Sequence, residues 1–326
     1  YLEVRHPVLE WAPKVEGGLD LSDGNALHFD ASGSRYSPAF PAPGGACISV
    51  YGDSFALGQD VGDEEAWTNQ LARLAGCRVA NYGMNGYGID QAVLRAEETT
   101  SDEATVTVLS ICPSNVLRSL THQVGFVVTP GTDFRGLKPR FVLGEDGKLT
   151  LRPIPYATRE QLLHFTNAPV DALDDDWFNP KGYWARLYLV AFPYTRTAWR
   201  IVTGHGMRRF IHRMFTGVPI EMDYYQHGHP SGSMELTGAL VQRFRDVASE
   251  RGQRVLFVLL PDPEIMRYFA ETGEWAHGDL LAELGKEGDP VLNAGAAFDE
   301  HLEGRPYQTL ESHQNHFNAD GYRVLA

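Results

Sequence analysis

The feature that most constrains this chain is a regular alternation of short apolar runs and amphipathic stretches between residues 46 and 111. Ala46 to Tyr51 is apolar and stops at Gly52, which suits a buried strand. From about Glu64 to Ala75, Trp67, Leu71 and Leu74 fall on one helical face, Asp63 is placed to cap the start and Gly76 to end it. Arg78 to Tyr82 reads as a second strand, Asp90 to Glu98 as a second helix and Ala104 to Ile111 as a third strand. Because such crossovers are right-handed, a β-α-β-α-β string builds a parallel sheet covered on both faces.

The rhythm returns late, with a helix from about Met234 to Arg251, an apolar strand from Val255 to Leu260, helical stretches to Lys286 and a short strand at Val291 and Leu292. Five parallel strands follow from this count. Residues 1–45 carry scattered Gly, Pro, Ser and Asp and read as an irregular lead-in. The main α/β domain then runs over 46–326. It is interrupted at about 121–232 by an insertion that opens on a hairpin-like piece, Phe141 to Leu143 and Leu149 to Leu151 around Gly144 to Gly147. Inserted segments beside a rigid core commonly form lids or substrate walls.

A net charge of -14 makes a phosphate backbone a poor partner, so nucleic acid is not expected to bind. Cys47, Cys77 and Cys112 lie far apart without CxxC spacing, so neither a disulfide framework nor a thiolate zinc site is expected, and Cys47 and Cys112 read as buried, inert thiols. No run reaches the roughly 18 apolar residues of a membrane span. Residue 1 is Tyr rather than Met, so an upstream segment is expected to have been removed, a signal or anchor being one candidate for it, and an extracytoplasmic location is only slightly favoured. The one basic, aromatic-bearing stretch, Arg196 to Phe215, reads first as an amphipathic helix packed on the core and second as a membrane-surface or anion-gripping segment.

In an open α/β sheet, ligands gather at the carboxyl ends of the strands. After the first strand comes Gly52-Asp53-Ser54-Phe55, a tight turn that exposes a serine hydroxyl and its backbone N–H. A serine needs a neighbouring base to become a nucleophile. After the second strand, the three glycines of Asn81 to Gly88 permit close backbone approach, and the Gly86 N–H is a candidate oxyanion donor. After the third, Asn115 offers an amide for the same purpose. Near the C-terminus, His313 and His316 precede a final helix, and His316 is placed to return to Ser54.

Taken together, Gly52 to Phe55, the Asn81 to Gly86 loop, Asn115, and His316 followed by Gly321-Tyr322 resemble the SGNH/GDSL hydrolases in order and spacing. The resemblance covers 46–118 and 234–326. It implies a flavodoxin-like three-layer α/β/α fold with a five-stranded parallel sheet and a large insertion after the third strand. It also implies Ser54 as nucleophile, Ser54, Gly86 and Asn115 as oxyanion donors, and His316 as base. A softer similarity points to the branch that modifies polysaccharide O-acetyl groups, hence to a carbohydrate or small-molecule ester as substrate and to no cofactor.

Two positions depart from the family. Where its third triad member, an aspartate, stands three residues before the histidine, this chain has His313. Either Glu311, a carboxylate from the insertion, a His313/His316 pair or a Ser–His dyad replaces it, or the activity is impaired. The block Gly-x-Asn-Asp has become Pro113-Ser114-Asn115-Val116, which leaves the aim of Asn115 open. Two further readings stay on the table. One is a binding module that kept the fold without the chemistry; the other is a metal hydrolase using His227, His229, His313, His316 and Asp174 to Asp176.

Overall fold

The computed structural model describes residues 3–21, 25–123, 137–156, 218–312 and 316–326, with scattered positions between 158 and 214, among them Leu173 and 176–178. The segment Arg196 to Phe215, apart from the exposed Met214, lies outside the described residues, as do His313, Asp174 and Asp175.

Five parallel strands form the centre: β5 (Ile48–Tyr51), β6 (Val79–Asn81), β7 (Val106–Ile111), β10 (Arg254–Leu259) and β11 (Val291–Asn293). Their order is β6-β5-β7-β10-β11, so by appearance in the chain the parallel strands run 2-1-3-4-5, the flavodoxin-like order. Alternation along each strand divides the core. Tyr51, Leu109, Ile111, Phe257 and Leu259 face one side, where α3 (Ile89–Glu98) and α5 (Ser233–Glu250) bring Val93, Leu240 and Phe244. Val50, Val108 and Val258 face the other, against Trp67 of α2 (Trp67–Ala75), Phe298 of α8 (Ala294–Leu302) and Tyr322 of α9 (Ala319–Leu325). Each such side chain, fully buried, contributes about 1.5–3 kcal/mol. This is a three-layer α/β/α fold.

Four details differ from the sequence reading. The lead-in is not irregular: it holds two antiparallel pairs, β1 (Glu3–His6) with β2 (Glu10–Pro13) and β3 (Gly18–Asp20) with β4 (Ala26–His28). Its runs are too short to show a period, yet Leu9, Trp11, Leu27 and Phe29 join the main core. Asp63 does not cap α2, whose first flanking residue is Ala66; its carboxylate instead takes Arg35 and His28. Leu74 is 76% exposed because α2 covers β6, the edge of the sheet, where the layer beneath runs out. Finally, Cys47 and Cys77 form a disulfide with Cα atoms 6.1 Å apart. They are distant in sequence, but they precede the adjacent strands β5 and β6, whose register pairs Ile48 with Val79. Cys112 is buried and free, as read.

The hairpin that opens the insertion is present as β8 (Arg140–Leu143) and β9 (Leu149–Arg152), and toward the end of the insertion a 3-10 turn at Ile220–Tyr225 packs against α5. Among the described residues no helix is long and apolar enough to cross a membrane.

Candidate active site

The turn that carries Ser54 is built by close contacts. A Cβ at Gly52 would stand 2.6 Å from the Ser110 carbonyl and 2.7 Å from the Ala56 side chain, so β5 leaves the sheet at the one residue that fits. Asp53 then caps the single-turn helix α1 (Ser54–Leu57), its Oδ1 accepting from the Phe55 N–H at 2.9 Å. Gly58, at φ 74°, ends the turn and reverses the chain. Ser54 is thereby held at the carboxyl end of β5, beside the point where the strand order reverses.

His316 reaches it from the segment ahead of α9: Nε2 lies 2.8 Å from Ser54 Oγ. Its other nitrogen, Nδ1, lies 3.0 Å from Asp60 Oδ2. With a carboxylate on Nδ1, that nitrogen carries the proton and Nε2 presents its lone pair to the serine hydroxyl. Ser312 Oγ donates a short hydrogen bond to the same Asp60 oxygen and accepts from the His316 N–H at 3.3 Å. Burial pushes the Asp60 carboxyl up, but the hydrogen bond and charge of His316, with the Ser312 hydroxyl, outweigh it and hold Asp60 below its ordinary value. The Phe55 ring packs against the imidazole, centroids 4.9 Å apart, fixing its plane.

The sequence does not single out Asp60 as the partner of His316. Its only signal there is indirect: a one-turn helix closed by glycine returns the chain toward the nucleophile within six residues. Glu311, one of the candidates for that place in the sequence, makes no hydrogen bond to His316 among the described residues; burial pushes its carboxyl up and Arg267 opposes this. His313 lies outside the described residues.

The oxyanion candidates are placed differently from each other. Gly86 sits at the third position of a turn closed by Tyr87 N–H to the Met84 carbonyl at 3.3 Å, and its φ of 77° is what a type II turn demands there. The amide of Asn115 points at neither Ser54 nor open space. Its Nδ2 donates to Asp53 Oδ2 at 2.8 Å and to the Tyr87 carbonyl at 3.3 Å, while its Oδ1 accepts from the Cys112 N–H. Arg118 Nη1 adds bonds of 3.1 Å to the same two acceptors. In this arrangement Asn115 and Arg118, at the ends of α4 (Ser114–Arg118), brace the Asp53 cap of α1 and tie it to the Gly86 loop.

The described members of the alternative metal-ligand set are not gathered. His227 faces Glu283 at 3.8 Å, His229 bonds the Ser231 hydroxyl and packs on Tyr224, Asp176 pairs with Arg140, and His316 is at Ser54. Among the described residues no three His, Cys, Asp or Glu side chains converge on a common point.

Fold and site together define a flavodoxin-ordered α/β/α protein with a serine, a histidine and a carboxylate in line at the carboxyl edge of its sheet. The strand order is the one that the sequence resemblance to the SGNH/GDSL hydrolases implies, and Ser54 and His316, from two of the blocks that carry that resemblance, meet at one end of the sheet. No family model matches the chain, and no curated protein matches it. Solved structures similar to it include LAE5, an alpha/beta hydrolase enzyme from the metagenome of Lake Arreo, Spain, at 12% identity and TM-score 0.41, covering 87% of this chain and 92% of that one. TesA is similar at 12% identity and TM-score 0.40, covering 85% and 93%. A catalytic mutant of Axe2, an acetylxylan esterase from Geobacillus stearothermophilus, is similar at 12% identity and TM-score 0.39, covering 87% and 92%.

Proposed function

We propose that the protein is a serine-dependent ester hydrolase or acyl transferase acting on small acyl esters, foremost acetyl groups on carbohydrate. The observation that carries the proposal is the unbroken chain from Ser54 Oγ to His316 Nε2 and from His316 Nδ1 to Asp60, at 2.8 and 3.0 Å. The choice of acetylated carbohydrate rests on the motif resemblance alone.

Ser54 Oγ attacks the ester carbonyl carbon as its proton passes to His316 Nε2. The imidazolium formed is stabilised by Asp60, which holds Nδ1–H throughout. The oxyanion is met by backbone N–H groups, with Ser54 and Gly86 the candidates. Collapse of the tetrahedral intermediate breaks the bond to the alcohol, which leaves with the proton from Nε2, and an acyl-Ser54 ester remains. A water molecule or a sugar hydroxyl then attacks that ester, giving up its proton to Nε2, and collapse of this second tetrahedral intermediate breaks the acyl–Ser54 bond as Ser54 Oγ takes the proton back, releasing the acid or the new ester. No step calls for a metal or an organic cofactor.

A carboxylate at His316 favours this reading over a binding module without chemistry, since nothing in mere binding requires an oriented, hydrogen-bonded imidazole beside a serine. The test is turnover of p-nitrophenyl acetate by the wild type, Ser54→Ala and His316→Ala, with mass spectrometry of trapped acyl-enzyme. Turnover is expected in the wild type, resistant to EDTA and abolished in both variants. A wild type that yields neither product nor a Ser54 adduct, with any acyl ester tried, sinks the proposal.

A further inference from the structure

The lead-in contributes more than packing. Arg35, between β4 and β5, is fully buried, and its backbone N–H is fixed to the Asn81 carbonyl at 2.7 Å. Its guanidinium donates through Nη1 to the carbonyls of Leu57 (2.6 Å) and Gly58 (2.5 Å), through Nη2 to that of Val61 (2.7 Å) and through Nε to Asp63 Oδ1 (3.2 Å). All four acceptors belong to the reversal that follows the nucleophile helix, and Asp60 stands between the second and third of them. Other bonds hold the reversal at its two ends, Gly58 N–H to the Ser54 carbonyl at 3.0 Å, Asp63 N–H to the Ala26 carbonyl at 3.0 Å and Asn69 Nδ2 to the Asp63 carbonyl at 2.7 Å; between them, beside Asp60, Gln59 N–H reaches the Ser54 carbonyl at 3.2 Å and Val61 N–H the Gly58 carbonyl at 3.4 Å, so the guanidinium is the group that ties the two ends together across Asp60. Gly58 is moulded to the same group, since a Cβ there would lie 2.9 Å from Arg35 Nη1.

Burying a charged guanidinium is costly, and an apolar side chain of equal volume commonly serves stability as well or better. What such a side chain lacks is a rigid fork of donors able to set several carbonyls at fixed distances. From this geometry we infer that Arg35 is a positioning residue for catalysis: it clamps the 57–63 reversal so that Asp60 is presented to His316 Nδ1. Asp63 holds the clamp in register. The inference rests on the Ser54–His316–Asp60 reading above.

The test uses the full chain with Arg35→Lys, Asp63→Asn and Asp60→Asn, each checked for folding by near-ultraviolet circular dichroism. The first readout is independent of activity: the downfield Nδ1–H proton resonance of His316, assigned by its loss in His316→Ala. It is expected in the wild type, absent in Asp60→Asn, and weakened and exchange-broadened in Arg35→Lys. The second is p-nitrophenyl acetate kinetics. Since a misplacement near 1 Å costs up to about 100-fold, Arg35→Lys is expected to lower kcat by about 10- to 100-fold with KM within about twofold. In the Asp60→Asn background, where there is no carboxylate left to present, the same substitution is expected to change kcat by less than about twofold.

A folded Arg35→Lys protein with the wild-type resonance and kcat overturns the inference. So does an equal fall in kcat in both backgrounds, which marks a general structural role. If Arg35→Lys does not fold, Asp63→Asn, which keeps the three carbonyl bonds, is judged by the same two criteria. A wild-type His316 resonance indifferent to Asp60→Asn overturns the relay itself, and that outcome is seen without reference to Arg35.

Discussion

At the scale of single residues, the site turns on one carboxylate oxygen. Asp60 Oδ2 accepts from both His316 Nδ1 and Ser312 Oγ, so it fixes the tautomer of the base and the path of the segment that carries it. Asp60→Asn keeps the shape and turns an acceptor into a mixed donor and acceptor, which disfavours the tautomer that leaves Nε2 free. The expected cost is in kcat, by up to about 10⁴-fold, with KM little changed. An Asp60→Asn enzyme within twofold of wild type would show that Ser54 and His316 work as a dyad. Because Asp60 is held below its ordinary value, the carboxylate's contribution to stability is present above its unfolded value and is lost as pH falls through the lowered one. Ser54 and His316 are legible in the sequence because each sits in a short block of fixed spacing. Asp60 is not, because its role comes from a chain reversal at Gly58 and from Arg35, a residue 25 positions upstream whose partners are backbone carbonyls that leave no pattern in the side chains. The amide of Asn115 was expected to face an oxyanion; its partners are set by Asp53, whose carboxylate competes for the same hydrogens.

Among the elements, the unit β5–α1–α2–β6 carries both Ser54 and Asp60, and the Cys47–Cys77 disulfide closes it at the end of the sheet away from the site. The alternation of apolar and amphipathic stretches makes β5, α2 and β6 readable to within a few residues, whereas the four-residue helix α1 reads only as a tight turn. The bridge was not readable, because pairing two cysteines 30 residues apart requires the register of neighbouring parallel strands, a tertiary fact. The same limit hid β1 to β4, whose three- and four-residue runs acquire a buried face only against the main core. Closing a loop of this length restrains the unfolded chain, and a cross-link of this kind contributes about 2–4 kcal/mol. The paired variant Cys47→Ser/Cys77→Ser is therefore expected to unfold at lower urea by about that free energy, with kcat near wild type well below the transition because the bridge touches neither Ser54 nor Asp60. Equal urea midpoints for the variant and the oxidised wild type would dismiss the stabilisation.

Across the whole molecule, the acid limit of stability is set by groups far from the chemistry as much as by the relay. His277, flanking α7 (Gly278–Leu284), has no exposed surface and packs beside Trp275, with centroids 5.3 Å apart. Burial pushes its pKa down to about 4, with Asn293 opposing weakly. The unfolded chain protonates this histidine near pH 6.5, whereas the folded one resists until about pH 4, so between those values the unfolded state binds more protons and stability rises with pH. The contribution is whole above pH 6.5 and is lost as pH falls through 4; at about 1.4 kcal/mol per pH unit the loss approaches about 3 kcal/mol. Asp262, capping α6 (Pro263–Thr272), titrates in the same window with the opposite sign: burial raises its pKa to about 6, so its contribution is present at low pH and lost as pH rises through that value. Raw acid stability thus mixes the two, and the informative quantity is the difference between wild type and His277→Gln, which leaves Asp262 untouched. Urea unfolding from pH 7 to pH 4 is expected to show the wild type losing stability more steeply than the variant, the gap closing toward pH 4 by an amount on the order of 3 kcal/mol. Parallel curves over that range would mean that His277 takes up its proton in the folded protein without resistance, and that the acid limit belongs to the carboxylates alone.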